Sequence, residues 1–252
     1  MLAGEEITFS VLAKIVQGEC RDIFTDHETV LICYSTPPFP VWVWCRDVTC
    51  REDVRKAAQC LKEHFPVQQD FSYNLSYDLW DALKREDPCF CHTSRKMGLR
   101  SHRLDAIQQI HHPCDGYVSR LREEEIAGLI PVWHDMHYEM EGHDLPAERC
   151  EATIRRMIEA KSLYVWRNCA GEIAALTGRG DSAPYAKITS VYTLPRFRRR
   201  GYAINLVHYV TQTILDDGLI PILYTNADYV ASNDCYRKIG YREVGNLCCV
   251  GK

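Results

Sequence analysis

What this chain lacks narrows its class before any motif is read. No stretch of its 252 residues approaches the roughly 18 consecutive apolar positions that a membrane span needs. The start, Met1-Leu2-Ala3-Gly4-Glu5-Glu6, has neither the basic segment nor the apolar core of a secretory signal, so a cytoplasmic protein without a membrane partner is expected. There is no excess of positive charge: the formal net charge is −4, and whole-molecule attraction to nucleic acid is not expected. No low-complexity segment and no internal repeat of motifs occurs. The phosphate-binding signatures with three glycines, or with Gly-Lys followed by Ser or Thr, are absent as well, which excludes a dinucleotide fingerprint and a Walker loop.

What is present is an ordinary globular composition, 46% hydrophobic and 25% charged. Thirteen cysteines are an odd number, so a complete disulfide framework is excluded, and most are expected to act as small buried hydrophobes. The group Cys89, Cys91, His92, His102, His111, His112 and Cys114 contains metal-binding residue types without the usual Cys-x₂₋₄-Cys spacing. His134, His137 and His143 sit among acids on what reads as a polar helix face. No metal is expected at either place.

The first half carries strand-like runs at Thr29–Tyr34 and Val41–Cys45, separated by a turn at Pro37, Pro38 and Pro40. A helix is expected over Arg51–His64, where Val54, Ala57, Ala58 and Leu61 recur at spacings of three and four. The polar stretch Lys84–Pro113 reads as a connection, which puts a domain boundary near Pro113: residues 1–112 as an N-terminal α/β domain and 113–252 as a second. The second half alternates strands and helices more clearly. A strand at Gly116–Leu121 precedes helices from Glu123 towards Met140 and at Glu148–Lys161. Strands follow near Leu163–Trp166, Ile173–Leu176 and Ala186–Tyr192. A helix is expected over Ala203–Asp216, ended by Gly218. The strand Ile220–Tyr224, a short helix Asn233–Ile239 and a strand Leu247–Val250 close the chain. This order implies an α/β or α+β layer architecture.

The stretch 186–216 carries chemistry. A β-branched strand enters the basic loop Arg198-Arg199-Arg200-Gly201-Tyr202-Ala203, and an amphipathic helix leaves it. The first turn of a helix has unpaired N–H groups and the positive end of a dipole, so it attracts phosphate. Gly201 allows close approach of a bulky anion, Ala203 keeps that approach narrow, and the arginines add donors for phosphate oxygens. The arrangement reads as a pyrophosphate cradle. Taken alone, the arginines would equally make a solvated basic turn or a salt-sensitive nucleic-acid contact.

With Ser190-Val191-Tyr192-Thr193-Leu194-Pro195 before it, Arg198-x-x-Gly201-x-Ala203 resembles the acetyl-CoA motif of the GCN5-related N-acetyltransferases. A second block, Leu223-Tyr224-Thr225-Asn226 and then Ser232-Asn233-Asp234-Cys235-Tyr236-Arg237-Lys238-Ile239-Gly240-Tyr241, is similar to that family's second cofactor motif. The resemblance covers about Asp115–Lys252, and it extends to a bacterial subgroup of two-domain acetyltransferases whose first half is sometimes a degenerate copy of the fold. It implies a mixed, mainly antiparallel sheet flanked by helices, with acetyl-CoA (coenzyme A) as cofactor and a small-molecule or peptide amine as acceptor. It leaves a homodimer open. By the same resemblance, backbone N–H groups from Arg199 to Ile204 bind the pyrophosphate, with Arg198 opening the loop. Val191, Tyr192 and Thr193 pair with the pantetheine arm, and Tyr236 is the general acid for the departing thiolate. Where the family often has an Asn this chain has Tyr229, and Asn233 or the nearby Asn226 is the substitute. A neutral attacking amine needs a base, since an alkylamine has a pKa of about 10.4. No glutamate lies on the strand before the loop, and Asp135, His137, Glu139 and Glu141 are the candidates. The alternative is an acyl-CoA-binding regulatory module that keeps the fold without turnover.

Overall fold

Strand-forming and helix-forming stretches alternate largely as their residue spacing predicts, in a computed structural model that describes residues 1–2, 4–18, 22–37 and 39–252. Ala3 of the expected start and Pro38 of the expected turn lie outside the described residues, as does Cys20. The chain divides into two units, each assembled from separate segments. The first is Met1–His102 with Tyr224–Asn233 and Glu243–Lys252, and the second is Arg103–Leu223 with Asp234–Arg242. This division differs from the expected single boundary near Pro113. The reason is visible in the pairing: the last strand returns to the first unit, where Cys248, Cys249 and Val250 sit opposite Leu75, Asn74 and Tyr73.

In the first unit, α1 (Ser10–Gln17) leads to β1 (Asp22–Thr25), β2 (Val30–Tyr34) and β3 (Val41–Cys45). Next come α2 (Arg51–His64), β4 (Tyr73–Leu75), α3 (Tyr77–Glu86) and β5 (Ser94–Leu104). Strands β1, β2 and β3 form an antiparallel meander, and β4 pairs parallel to β3 after the α2 crossover. Side chains alternate across this sheet, as the period of two requires. Val30, Ile32, Val41 and Val43 join the core under α2 and α3, whereas Leu31, Cys33, Trp42 and Trp44 face Phe9 and Leu12 at α1.

Strand β5 falls in the stretch expected to be a connection. Its inward positions are Gly98, Ser101, His102 and Leu104, so an apolar period is almost missing. Polar pairing takes its place. Ser101 Oγ donates to the Gly245 carbonyl at 3.1 Å and lies 3.2 Å from Thr8 Oγ1, and His102 Nε2 lies 3.1 Å from Thr225 Oγ1.

The second unit runs β6 (Tyr117–Arg120), α4 (Ile126–Glu141), α5 (Ala147–Glu159), β7 (Leu163–Arg167), β8 (Ile173–Ser182) and β9 (Tyr185–Thr193). Then follow α6 (Tyr202–Asp216), β10 (Ile220–Asn226), α7 (Val230–Ile239) and β11 (Tyr241–Gly251), the last three continuing into the first unit's segments. Strands β6 to β9 are antiparallel neighbours, and β10 returns parallel to β9, with Ile220–Leu223 opposite Tyr185–Ile188. Helix α6 covers one face of this sheet through Leu206, Val207, Val210 and Ile214. Helices α4 and α5 cover the other through Leu129, Trp133, Met136, Cys150 and Ile154. Each unit on its own is a mixed, mainly antiparallel sheet flanked by helices. Each also has the same order: an antiparallel meander, a crossover helix, a parallel strand and a further helix.

No disulfide joins any of the twelve described cysteines, of which Cys33, Cys45, Cys150 and Cys248 are buried. Among the described residues no group of three or more His, Cys, Asp or Glu is arranged to hold a metal ion. Among them, too, no helix is long and apolar enough to cross a membrane.

Ile214 is fully buried where α6 meets the sheet. Its truncation removes packing and leaves a cavity, so Ile214→Ala should lower the unfolding free energy by about 2–5 kcal/mol in a denaturant titration. An unchanged midpoint would mean that α6 is not packed as described.

Candidate functional site

The site begins with an irregularity in β9. Leu176 pairs with Tyr192 and Gly178 with Thr189, so a single residue of β8, Thr177, faces two residues of β9, Ser190 and Val191. This is a β-bulge, and Ser190 takes the left-handed backbone conformation (φ 53°) within it. The Thr177 hydroxyl donates to the Thr189 carbonyl at 3.1 Å. At Gly178 a Cβ would come within 2.6 Å of both Met157 Cε and Thr189 Oγ1, so any other residue here would displace those two side chains.

The extra residue inverts the alternation of side chains. Ala186 and Ile188 face the α6 side, and strict alternation would put Tyr192 there too. After the bulge Val191 packs on the α6 side, and Tyr192 turns to the opposite face among the α4 and α5 residues. There the buried Tyr192 ring sends its hydroxyl to Glu139 Oε1 at 3.0 Å. Burial first, and then this bond to a carboxylate, push the Tyr192 phenol up to about 12.

Beyond Thr193 the chain makes a single 3-10 turn at Pro195–Phe197 and enters the arginine loop. Arg199 (φ 64°) and Gly201 (φ 83°) are both left-handed. For an L-residue such as Arg199 this conformation costs on the order of 1–2 kcal/mol, and Gly201 escapes that cost. Gly201 is the N-cap of α6 and has no side chain to offer, and no acid stands in the first turn. The helix therefore starts with N–H groups uncapped by any side chain. Arg198, Arg199 and Arg200 are all exposed around it.

Behind the loop the anchoring is polar. Asn205 Nδ2 donates to the His112 carbonyl at 2.7 Å and to the Gly201 carbonyl at 2.8 Å. The Tyr202 hydroxyl donates to Asp115 Oδ1 at 2.5 Å, and the Cys169 backbone N–H donates to Asp115 Oδ2 at 2.7 Å. The Tyr202 bond first, with Cys169 behind it, holds the Asp115 carboxyl well below the usual carboxylate range. These bonds tie the loop and the first turn of α6 to His112, Asp115 and Cys169. Residue spacing did not single out Asn205 or Asp115, since each is one polar residue among many.

Arg198 is not extended into solvent. Its Nε donates to the Thr193 carbonyl at 3.0 Å, and its Nη2 reaches the two Glu139 oxygens at 2.9 and 2.7 Å. Of the four candidates for a base, Glu139 is the one that touches β9 and the loop. Met136 is buried on the α4 face that packs on the sheet, and Glu139 follows it by three residues, so it continues that face over Tyr192. His137 instead meets His143, at 3.4 Å, and Asp135 meets His134, at 3.6 Å.

Val191, Tyr202, Ile204 and Tyr236 share the second unit's core on the α6 side. Tyr236 is buried there, edge-on to Tyr241 at 6.1 Å between ring centroids. Ala203 lies half-buried between Tyr202 and Ile204 in the first turn of α6. Asn233 belongs to the first unit and is buried. Its Oδ1 accepts from the Thr225 hydroxyl at 2.6 Å, and its Nδ2 reaches the Asn226 and Tyr229 carbonyls at 3.1 and 3.0 Å. Its amide thus ties the β10–α7 turn together. Tyr229 is exposed on that turn.

The helix between parallel strands of the first unit gives a contrast. The first turn of α2 carries Glu52 and the buried Asp53, and Arg46 Nη2 stands 3.5 Å from Asp53. Carboxylates already meet the positive end of that helix, and a phosphate there would be repelled. At α6 the same position is open and surrounded by arginines.

Residues 169–250 match the FR47-like protein family. No curated protein matches the chain's sequence. Among solved structures, a Drosophila protein superposes with a TM-score of 0.65 at 13% identity, over 99% of this chain and 88% of its own. A GCN5-related N-acetyltransferase from Kribbella flavida gives 0.63 at 14% identity, over 98% and 95%. An acetyltransferase of the GNAT family from Colwellia psychrerythraea gives 0.60 at 12% identity, over 100% and 96%. At these identities the likeness is one of fold, and it extends over nearly the whole chain. The chain thus shares its fold with GCN5-related N-acetyltransferases and, over residues 169–250, resembles the FR47-like family.

Proposed function

We propose that the second unit transfers an acetyl or related acyl group from acyl-CoA to an amine, by direct attack of the amine on the thioester. The observation that carries this reading is the entry to α6. A helix N-terminus with no side-chain cap follows a loop with left-handed Arg199 and Gly201 and three exposed arginines, directly after a bulged strand. Helix N–H groups, a dipole and guanidinium donors lie together there, and a diphosphate is a ligand whose charge they complement. The residues present therefore suit coenzyme A, whose thioester supplies the activated acyl group.

In this reading the N–H groups from Arg199 to Ile204 hold the diphosphate. The β9 backbone at Val191, Tyr192 and Thr193 offers hydrogen bonds to the pantetheine amides. The attacking nitrogen forms a C–N bond as the C–S bond breaks, so one proton must leave the amine and one must reach the sulfur. Tyr236 is assigned to the second transfer and Glu139 to the first, because Glu139 is the carboxylate held against the end of β9. The acceptor is a small-molecule or peptide amine.

Gly201→Glu puts an L side chain at a left-handed position, against Asn205 Nδ2, Cys114 Cβ and the His112 carbonyl at 3.5–3.7 Å, and so strains the loop proposed to hold the diphosphate and adds a negative charge to it. Calorimetric titration with CoA should show binding in the unmodified protein and none in this variant. Equal affinity would remove the loop from the site. Tyr236→Phe should leave CoA affinity within about twofold and slow thiol release from acetyl-CoA about 10²-fold or more, the usual range for losing a positioned acid. Unchanged release would take that role from Tyr236. Binding without release across a broad amine panel would leave an acyl-CoA-binding module in place of an enzyme.

A further inference from the structure

Arg198, the first arginine of the loop, is engaged by a carboxylate. Both oxygens of Glu139 lie within 2.9 Å of Arg198 Nη2, and the Nε–H is held by the Thr193 carbonyl. The guanidinium also lies over the Tyr192 ring, 5.3 Å from its centroid. Arg198 is therefore folded back along the end of β9 towards α4.

We infer that the Arg198–Glu139 ion pair is a latch: the cofactor's diphosphate competes with Glu139 for Arg198, and filling of the loop uncovers the Glu139 carboxylate. The inference rests on the acyl-CoA reading of the same loop. Three features support it. The pair is solvated, with side-chain exposures of 38% and 45%, and exposed ion pairs are weak, so a stronger anion displaces them readily. A diphosphate offers more charge and more acceptor oxygens to a guanidinium than one carboxylate does. Glu139 also has a second anchor that does not depend on Arg198: the Tyr192 hydroxyl, from a ring held in the core, donates to Oε1. The Tyr192 phenol, pushed up to about 12 by burial and by this bond, keeps its proton at neutral pH and remains a donor. When Arg198 leaves, Glu139 stays beside the end of β9 with its other oxygen open.

The consequence is a coupling between cofactor affinity and a residue on α4. Removing the Glu139 charge should tighten CoA binding, although Glu139 itself touches no cofactor atom in this scheme. A thermodynamic cycle tests this, with CoA titrated calorimetrically into the unmodified chain, Glu139→Gln, Arg198→Gln and the double variant. Glu139→Gln should bind CoA about two- to fivefold more tightly, the range that loss of an exposed ion-pair competitor allows. Arg198→Gln should weaken binding, and adding Glu139→Gln to it should change nothing further. Unchanged or weaker binding by Glu139→Gln overturns the latch while leaving the acyl-CoA reading intact. The same gain in the Arg198→Gln background also overturns it, because the effect would then be general repulsion between Glu139 and CoA. Failure of the unmodified chain to bind CoA at all removes the acyl-CoA reading, and the latch with it.

Discussion

The site depends on one extra residue in a strand. Because Ser190 and Val191 together face Thr177, β9 changes the direction of its side chains partway along. Upstream, Ala186 and Ile188 build the core under α6, and downstream Tyr192 reaches the opposite face. Without that inversion the Tyr192 hydroxyl would not meet Glu139, and Glu139 would lack its anchor independent of the loop. The bulge is secured by the Thr177 hydroxyl on the Thr189 carbonyl and by the absence of a side chain at Gly178. Parallel pairing with β10 extends to Leu223 opposite Ile188, immediately before the bulge, and β9 continues to Thr193. The strand's irregular end, rather than its regular pairing, carries the proposed chemistry.

The loop that follows is the complementary device. Its left-handed residues bend the chain sharply into α6, while Asn205, Tyr202 and Asp115 hold it from behind. It carries exposed arginines and a helix start without a side-chain cap. The first unit repeats the order of strands and crossover helix but not this chemistry. The start of α2 bears Glu52 and Asp53, and these acids complement the helix dipole with the protein's own charge. One topology thus carries the proposed anion site in one unit and a self-neutralised helix end in the other.

Much of this was legible in the sequence. The α6 helix, its loop and the flanking strands follow from a 3.6-residue apolar period, a glycine at the turn and a β-branched run before it. Three parts were hidden for physical reasons. Strand β5 buries Gly98, Ser101 and His102 before Leu104, so its buried positions carry almost no hydrophobic signal. The bulge turns on Ser190 in a left-handed conformation, which a serine does not advertise as a glycine would. The boundary between units was obscured because β11 pairs with β4, a contact across 173 residues of sequence that local periodicity cannot report. Glu139 was one of five acids and imidazoles in α4. Only its place three residues after the buried Met136, on the face that meets Tyr192, separates it from the others.

The central claim is that coenzyme A binds along the end of β9 and across the start of α6. Amide hydrogen exchange, followed by mass spectrometry with and without saturating CoA, reads this directly at the backbone. The account predicts slowed exchange concentrated in residues 190–205, with the start of α2 unchanged as an internal control. Protection at the start of α2, or none in 190–205 while CoA is bound, would contradict it.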